Sequence, residues 1–396
     1  MKKFSGFFML IPICLFGQTS EREKGIHFEH GTFTEVLAKA KKENKIIFVD
    51  AFTTWCGPCK WMAKNTFPND TIAEFYNKNF INAKIDMEKG EGIDIAKKYQ
   101  VMCYPTLLYI DGNGQLLHRQ SGGLGVKEFM QLGTDAMNPV KQFASCKKKY
   151  NSGNSTPDEI GEYLLMRGRT CLPVKDEMAK YFSTQKDADL TSQRNWTILS
   201  ECRTDIRTDS REFNYLVNHR AEFEKLYTPE KVSEIIKNSY SFALYNYSKE
   251  KNTEGYNKLR EEIVKKSFPF SDEMVLNADM SLYENSKDWT NYAKTAVAYI
   301  DKYAKENHNM LNNVAWSFYE NISDKAMLVK AEEWAKHSIE LSPGYFNYDT
   351  YTALLYKLGK KSEAQAAAEK AIELAKQNGD DCTATSEMLE KIKAMK

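Results

Sequence analysis

Residues 45–52, KIIFVDAF, form an apolar run that Asp50 alone interrupts after Lys45, and three residues later Trp55-Cys56-Gly57-Pro58-Cys59 begins. A run without polar alternation suits a strand buried on both faces, and such a strand needs helices packed on each side of its sheet. Pro58 suits the first turn of a helix, where a missing N–H costs little. The junction therefore reads as strand, turn and helix, with Cys56 at the exposed turn and Cys59 one turn later. A thiolate is stabilised at a helix N-terminus by unpaired backbone N–H groups, and cysteines at this spacing can close a disulfide. Cys56 is expected to attack and Cys59 to resolve the mixed disulfide. A purely structural disulfide would not need this position. Structural zinc wants four ligands, and neither a second C-x-x-C nor an H-x₃-H pair exists among His27, His30, His118, His219, His308 and His337.

The flanking pattern extends the layered reading. Residues 32–42 carry a Thr32…Glu35 capping box with Phe33, Val36, Leu37 and Ala40 on one side, which predicts a helix. A short helix opened by Asp70 or Thr71, an alternating strand over 81–87 and a helix near 93–99 follow. Strands at 106–110 and 115–120 are joined by Asp111-Gly112-Asn113-Gly114, a strong hairpin signal, and 126–137 is a closing helix. With a weak strand at 27–29, the order is β-α-β-α-β-α-β-β-α.

The stretches FVDAFTTWCGPCK (48–60), KID (84–86), YPTLLYIDGNG (104–114) and SGG (121–123) make residues 26–139 resemble a thioredoxin-fold domain. CKWMAKNTF (59–67), followed by a second short helix, is more similar to thiol:disulfide interchange domains of the DsbD C-terminal type. The resemblance implies an α/β thioredoxin fold, a central mixed sheet flanked by helices. It implies that Pro105 is a cis proline opposite the cysteines and that Tyr104, Trp55, Gly57 and Pro58 meet the substrate, Trp55 also shielding the sulfurs. Asp50 matches a buried aspartate whose raised pKa lets it take the proton of Cys59. The alternatives are an ordinary trans proline opening an edge strand, a core tryptophan and a solvent-facing carboxylate. Two positions depart from the family. Asn82 stands where a lysine is common, leaving Asp50 without its usual cation, and Lys64 stands where a proline kinks the helix. Cys103, two residues before Pro105, matches a cysteine of some animal thioredoxins and is an accessory thiol or a spectator.

Beyond this, residues 145–157 turn basic and then rich in Ser, Asn and Gly, which predicts a linker. Thr156, Pro157 and Glu159 supply a cap and first turn for a new helix, and little strand signal follows. The rest, 158–396, is expected to be an all-α helical-repeat domain. Ala296/Ile300, Ala335/Ile339 and Ala368/Ile372 recur at intervals of 39 and 33 residues, and 311–376 resembles tetratricopeptide repeats. Such solenoids commonly bind a protein or peptide.

At the other end, Lys2 and Lys3 precede an apolar stretch over 7–16 that is too short to span a bilayer, so 1–17 reads as a signal peptide cleaved after Gly17. The chain is then exported, periplasmic or secreted, and not membrane-spanning. Of eight cysteines seven lie beyond Cys14, so at least one lacks an internal partner; Cys146, Cys171, Cys202 and Cys382 suit buried small hydrophobes. Basic and acidic residues number 55 and 54, which leaves no general field for nucleic acid.

These features converge on thiol:disulfide exchange with protein substrates, more in the direction of reduction, since CGPC resembles the motif of reductants. No metal or organic cofactor is implied. A reductase outside the cytoplasm would need electrons from a membrane relay. The rival is a repeat scaffold whose thioredoxin-like domain only docks a partner; an isomerase would need Cys56 reduced and the domain dimeric.

Overall fold

The computed structural model describes residues 24–395, so the expected signal peptide and its cleavage after Gly17 lie outside the described residues. The first part contains β1 (Phe28–Glu29), α1 (Phe33–Glu43), β2 (Ile46–Phe52), α2 (Gly57–Asn65), α3 (Asp70–Asn79), β3 (Phe80–Asp86), α4 (Gly92–Lys98), β4 (Thr106–Ile110), β5 (Leu116–Ser121) and α5 (Val126–Met137). The strands form one mixed sheet in the order β1-β3-β2-β4-β5. β1 and β2 run parallel to β3, whereas β4 is antiparallel to both β2 and β5. This is a thioredoxin-like sheet with helices on its faces.

The central strand is buried on both sides, as its sequence demands. Ile47, Val49 and Ala51 face a cluster with Phe33, Val36 and Ile95, whereas Phe48 faces Met62, Tyr76, Tyr109 and Phe129. Fully burying each large apolar side chain contributes roughly 1.5–3 kcal/mol. Tyr76 stacks on Phe129 at 4.2 Å, and its hydroxyl lies 2.6 Å from that of Tyr109. Local chemistry sets the ends of the elements. The Thr32–Glu35 capping box opens α1 as expected. α3 starts at Asp70, the first of the two positions read, and the Asn69 side chain caps it by accepting from the Thr71 and Ile72 N–H groups. In the hairpin, the Asp111 carboxylate accepts from Asn113 and Gln115 N–H. Gly112 is required there because a Cβ would stand 2.7 Å from the Lys41 backbone.

Residues 145–157 are not a linker. They carry most of α6 (Phe143–Asn151) and the Thr156 cap of α7 (Pro157–Gly168). Two aromatic side chains, seven residues apart, hold α6 in place: Phe143 and Tyr150 both pack on Tyr163, at 5.8 and 4.7 Å. The Phe143 N–H donates to His118 Nδ1 at 3.0 Å, which ties α6 to β5. α8 (Lys175–Ser183) and α9 (Gln193–Glu201) complete this part, and the chain divides into two compact units after Cys202.

The second unit is helical from Arg211–Asn218 to Thr383–Lys393. Ala296, Ala335 and Ala368 are fully buried where its helices meet, and Ser342-Pro343-Gly344 separates the helices Lys325–Leu341 and Tyr345–Lys357. Asp279 is buried and satisfied by Arg260 and the Tyr256 hydroxyl.

Candidate active site

The carboxyl end of β2 delivers the chain to a tight turn in which Cys56 N–H donates to Thr53 O at 3.3 Å. Cys56 is the N-cap of α2, its Sγ accepting from Cys59 N–H at 3.0 Å, and Pro58 lies in the first turn. The helix thus directs an N-terminal N–H group at the Cys56 sulfur, the arrangement that favours a thiolate there. Cys56 and Cys59 form a disulfide with their Cα atoms 5.3 Å apart.

Exposure differs from expectation at Cys56. It is only 2% exposed and Cys59 3%, although Trp55 beside them is 64% exposed. The sulfur expected to be open to solvent is therefore covered in the bonded form, while Gly57 and Pro58 on its helical side are exposed. Trp55 is a surface residue held by two contacts. Its indole N–H donates to Glu88 at 2.9 Å, and its ring meets Tyr104 edge-on at 5.8 Å. The Tyr104–Pro105 peptide is cis. Gly122 N–H donates to Pro105 O at 2.8 Å, and Gly123 lies against Pro58. The loops at 103–105 and 121–123 thereby meet the turn at Trp55 and Pro58.

Asp50 is fully buried on β2, and neither carboxylate oxygen has a hydrogen-bond partner. Burial pushes its pKa up to about 6, against the opposing pull of Lys84. Lys84 corrects the expectation that Asp50 lacks a cation. It pairs with Asp50 in the β2–β3 register, and its Nζ lies 3.7 Å from Oδ2, an ion-pair distance too long for a hydrogen bond. The ammonium also sits 4.9 Å from the centre of the Phe52 ring. Asn82, at the position where the lysine was sought, instead donates to the His27 carbonyl and to Asn77. Positions 82 and 84 share a face of β3, so strand parity alone does not choose between them; the register that sets Lys84 opposite Asp50 does.

Cys103 is not a free accessory thiol, nor is Cys171 a buried small hydrophobe: the two are joined in a disulfide spanning 68 residues. Among the described residues Cys146, Cys202 and Cys382 take part in no disulfide. Short-range spacing carried no signal for this pair, because only the fold brings the α7–α8 connection to the Pro105 loop.

Residues 25–110 match the family model Thioredox_DsbH, whose description is a protein of unknown function, DUF255. A thioredoxin of Echinococcus granulosus is 33% identical over 98 residues, 24% of this chain and 86% of the relative. Thioredoxin Y of Oryza sativa subsp. japonica, a chloroplast protein, is 33% identical over 28% of this chain and 60% of its own. The thiol:disulfide interchange protein DsbD of Pseudoalteromonas atlantica is 29% identical over 30% of this chain, which spans only 21% of that relative. The solution structure of a candidate disulphide-isomerase from Bacteroides thetaiotaomicron is 43% identical, covering 29% of this chain and 95% of its own, with a TM-score of 0.28.

Proposed function

Because this chain belongs to the thioredoxin family and is a thiol:disulfide oxidoreductase, we propose that it works outside the cytoplasm as a reductase of protein disulfides. The observation that carries this reading is the Cys56–Cys59 disulfide at the head of α2, with the Cys56 sulfur serving as the helix cap. In the reduced protein the Cys56 thiolate attacks one sulfur of a substrate disulfide, forming a mixed disulfide and releasing the first substrate thiolate. Cys59, deprotonated with Asp50 as proton acceptor, then attacks Cys56 Sγ. That step releases the second substrate thiolate and closes the bond present in this structure. Two electrons pass between sulfurs without any cofactor. Tyr104 and Pro105 present backbone to the substrate, and Trp55, Gly57 and Pro58 form the contact surface around the bond.

Residues 26–139 supply this chemistry, and the helical second unit over 203–396, tetratricopeptide-like at 311–376, binds a protein or peptide partner. Export follows from residues 1–17 as a cleaved signal peptide. Among the described residues no helix is long and apolar enough to cross a membrane. A reductase working outside the cytoplasm receives its electrons from a membrane relay. Reduction of insulin and of a small aromatic disulfide by the full chain, compared with Cys56→Ser, tests the proposal. We expect the substitution to lower both rates at least a hundredfold, whereas equal rates would refute the reading. The near-complete burial of Cys56 supports one rival, a docking scaffold with an idle disulfide. A scaffold would leave small-disulfide reduction at background in both proteins.

A further inference from the structure

The Cys103–Cys171 disulfide has no part in the exchange just described, yet it stands beside the active site. Cys103 precedes Tyr104, the residue that packs on Trp55. Cys171 is exposed and Cys103 half-buried, so the bond is open to a thiol from solvent. The connection that carries Cys171, residues 169–174 between α7 and α8, also lies along the sheet. Arg169 O accepts from the backbone N–H of Ser121 at 2.8 Å, at the end of the edge strand β5. From Ser121 the polar contacts lead to the loop that carries Cys103 and Pro105. The Ser121 hydroxyl lies 2.9 Å from Thr106 Oγ1, which donates to Cys103 O at 2.7 Å, and the next residue, Gly122, donates to Pro105 O. The strap is anchored from its other side by Arg169, whose guanidinium makes two hydrogen bonds to Glu201, and by Arg167, which donates to Pro173 O.

An edge strand offers unpaired backbone groups to any extended peptide, and here an internal segment takes one of them next to the cysteines. We propose that Cys103–Cys171 is a second, reducible thiol–disulfide site, which fastens this strap on the β5 edge and, when cut, frees the edge for a protein substrate. The reductant is a dithiol, such as the reduced CGPC pair of a second copy. Its first thiolate attacks the exposed Cys171 sulfur and expels the Cys103 thiolate. Its second then resolves the mixed disulfide, leaving two protein thiols and one oxidised dithiol. The freeing of the edge is read from geometry alone, and only its effect on substrate turnover rests on the function proposed above.

Two measurements on the full chain test the site. In a graded titration with dithiothreitol followed by alkylation and peptide mass spectrometry, Cys103 and Cys171 should be labelled together while circular dichroism still reports the folded state. Labelling of these two only as the protein unfolds would overturn the proposal and leave a buried staple. In the Cys103→Ala/Cys171→Ala variant, or in the titrated natural chain if that variant does not fold, exchange of the Ser121 amide should accelerate at least tenfold. Unchanged protection of Ser121 would show that the strap is held without the bond and would sink the latch. For turnover, the unlatched protein should reduce insulin several-fold faster in kcat/KM and the small disulfide at an unchanged rate. Equal insulin rates with an active small-disulfide reaction count against the latch. Loss of both reactions in the natural chain defeats the proposed reductase instead, with the labelling and amide-exchange results still deciding the site.

Discussion

Asp50 illustrates how one residue couples stability to chemistry. Its carboxyl is fully buried, and its pKa rises from an ordinary 3.8 to about 6 because burial outweighs the attraction of Lys84. The folded protein therefore holds the proton more tightly than the unfolded chain between these two values. Stability from this group is complete below pH ~4 and is lost as pH rises through about 6. A shift of about two units corresponds to roughly 3 kcal/mol. Asp50→Asn should thus make the oxidised protein up to ~3 kcal/mol more stable at pH 8. The gap should close by pH 4, as read from urea midpoints at both pH values, and a constant gap would mean that Asp50 is not the titrating group. The same substitution should slow resolution of the mixed disulfide, because it removes the base assigned to Cys59. Asp50 was legible in the sequence as a lone carboxylate in an apolar strand. Its counter-charge was not, because an aspartate and a lysine 34 positions apart meet only through the register of β2 on β3.

The same division between local and long-range information separates the elements. β2, β4 and the Asp111-Gly112-Asn113-Gly114 hairpin were legible because an apolar run or a turn signal resides within a few residues. Both Thr–Glu capping boxes appear where their spacing placed them. α6 was missed because only Phe143 and Tyr150 mark its apolar side, and their partner Tyr163 lies on the next helix. Its attachment to β5 depends on an uncharged imidazole, since His118 Nδ1 accepts the Phe143 N–H. Burial pushes the His118 pKa down from 6.5 to about 4, with Asp135 opposing. Here the unfolded chain binds the proton more tightly, so this contribution is present above pH 6.5 and is lost as pH falls through about 4. The sign is opposite to that of Asp50, and the two partly cancel between pH 4 and 6. His118→Gln, which keeps an acceptor but cannot charge in this range, should gain up to roughly 3 kcal/mol on the natural protein between pH 7 and pH 4. Urea unfolding of both proteins across that interval checks it; parallel curves would remove His118 from the account.

For the molecule as a whole, the question is where the thioredoxin-like unit ends. Sequence composition suggested a boundary inside 145–157, where the apolar periodicity lapses, whereas the compact unit continues to Cys202. Composition reports the solvent-facing side of a segment well and its sparse anchors poorly, and here two aromatics, two hydrogen bonds to β5 and one disulfide hold α6 and α7 against the sheet. A protein cut after Ser152 loses Tyr163 and Cys171, leaving Phe143 and Tyr150 without their partner and Cys103 unpaired. One cut after Cys202 keeps all of these contacts. For a closure of 68 residues the chain-entropy model puts the disulfide alone at about 4 kcal/mol. The shorter fragment should therefore unfold at a markedly lower urea concentration than the longer one under non-reducing conditions. Both should still reduce a small disulfide, because the CGPC turn, Asp50, Lys84 and the Pro105 loop precede either cut. Coincident unfolding midpoints would move the boundary back to 145–157 and make α6 to α9 an appendage, whereas a lower midpoint for the shorter piece makes them part of the unit that carries the redox centre.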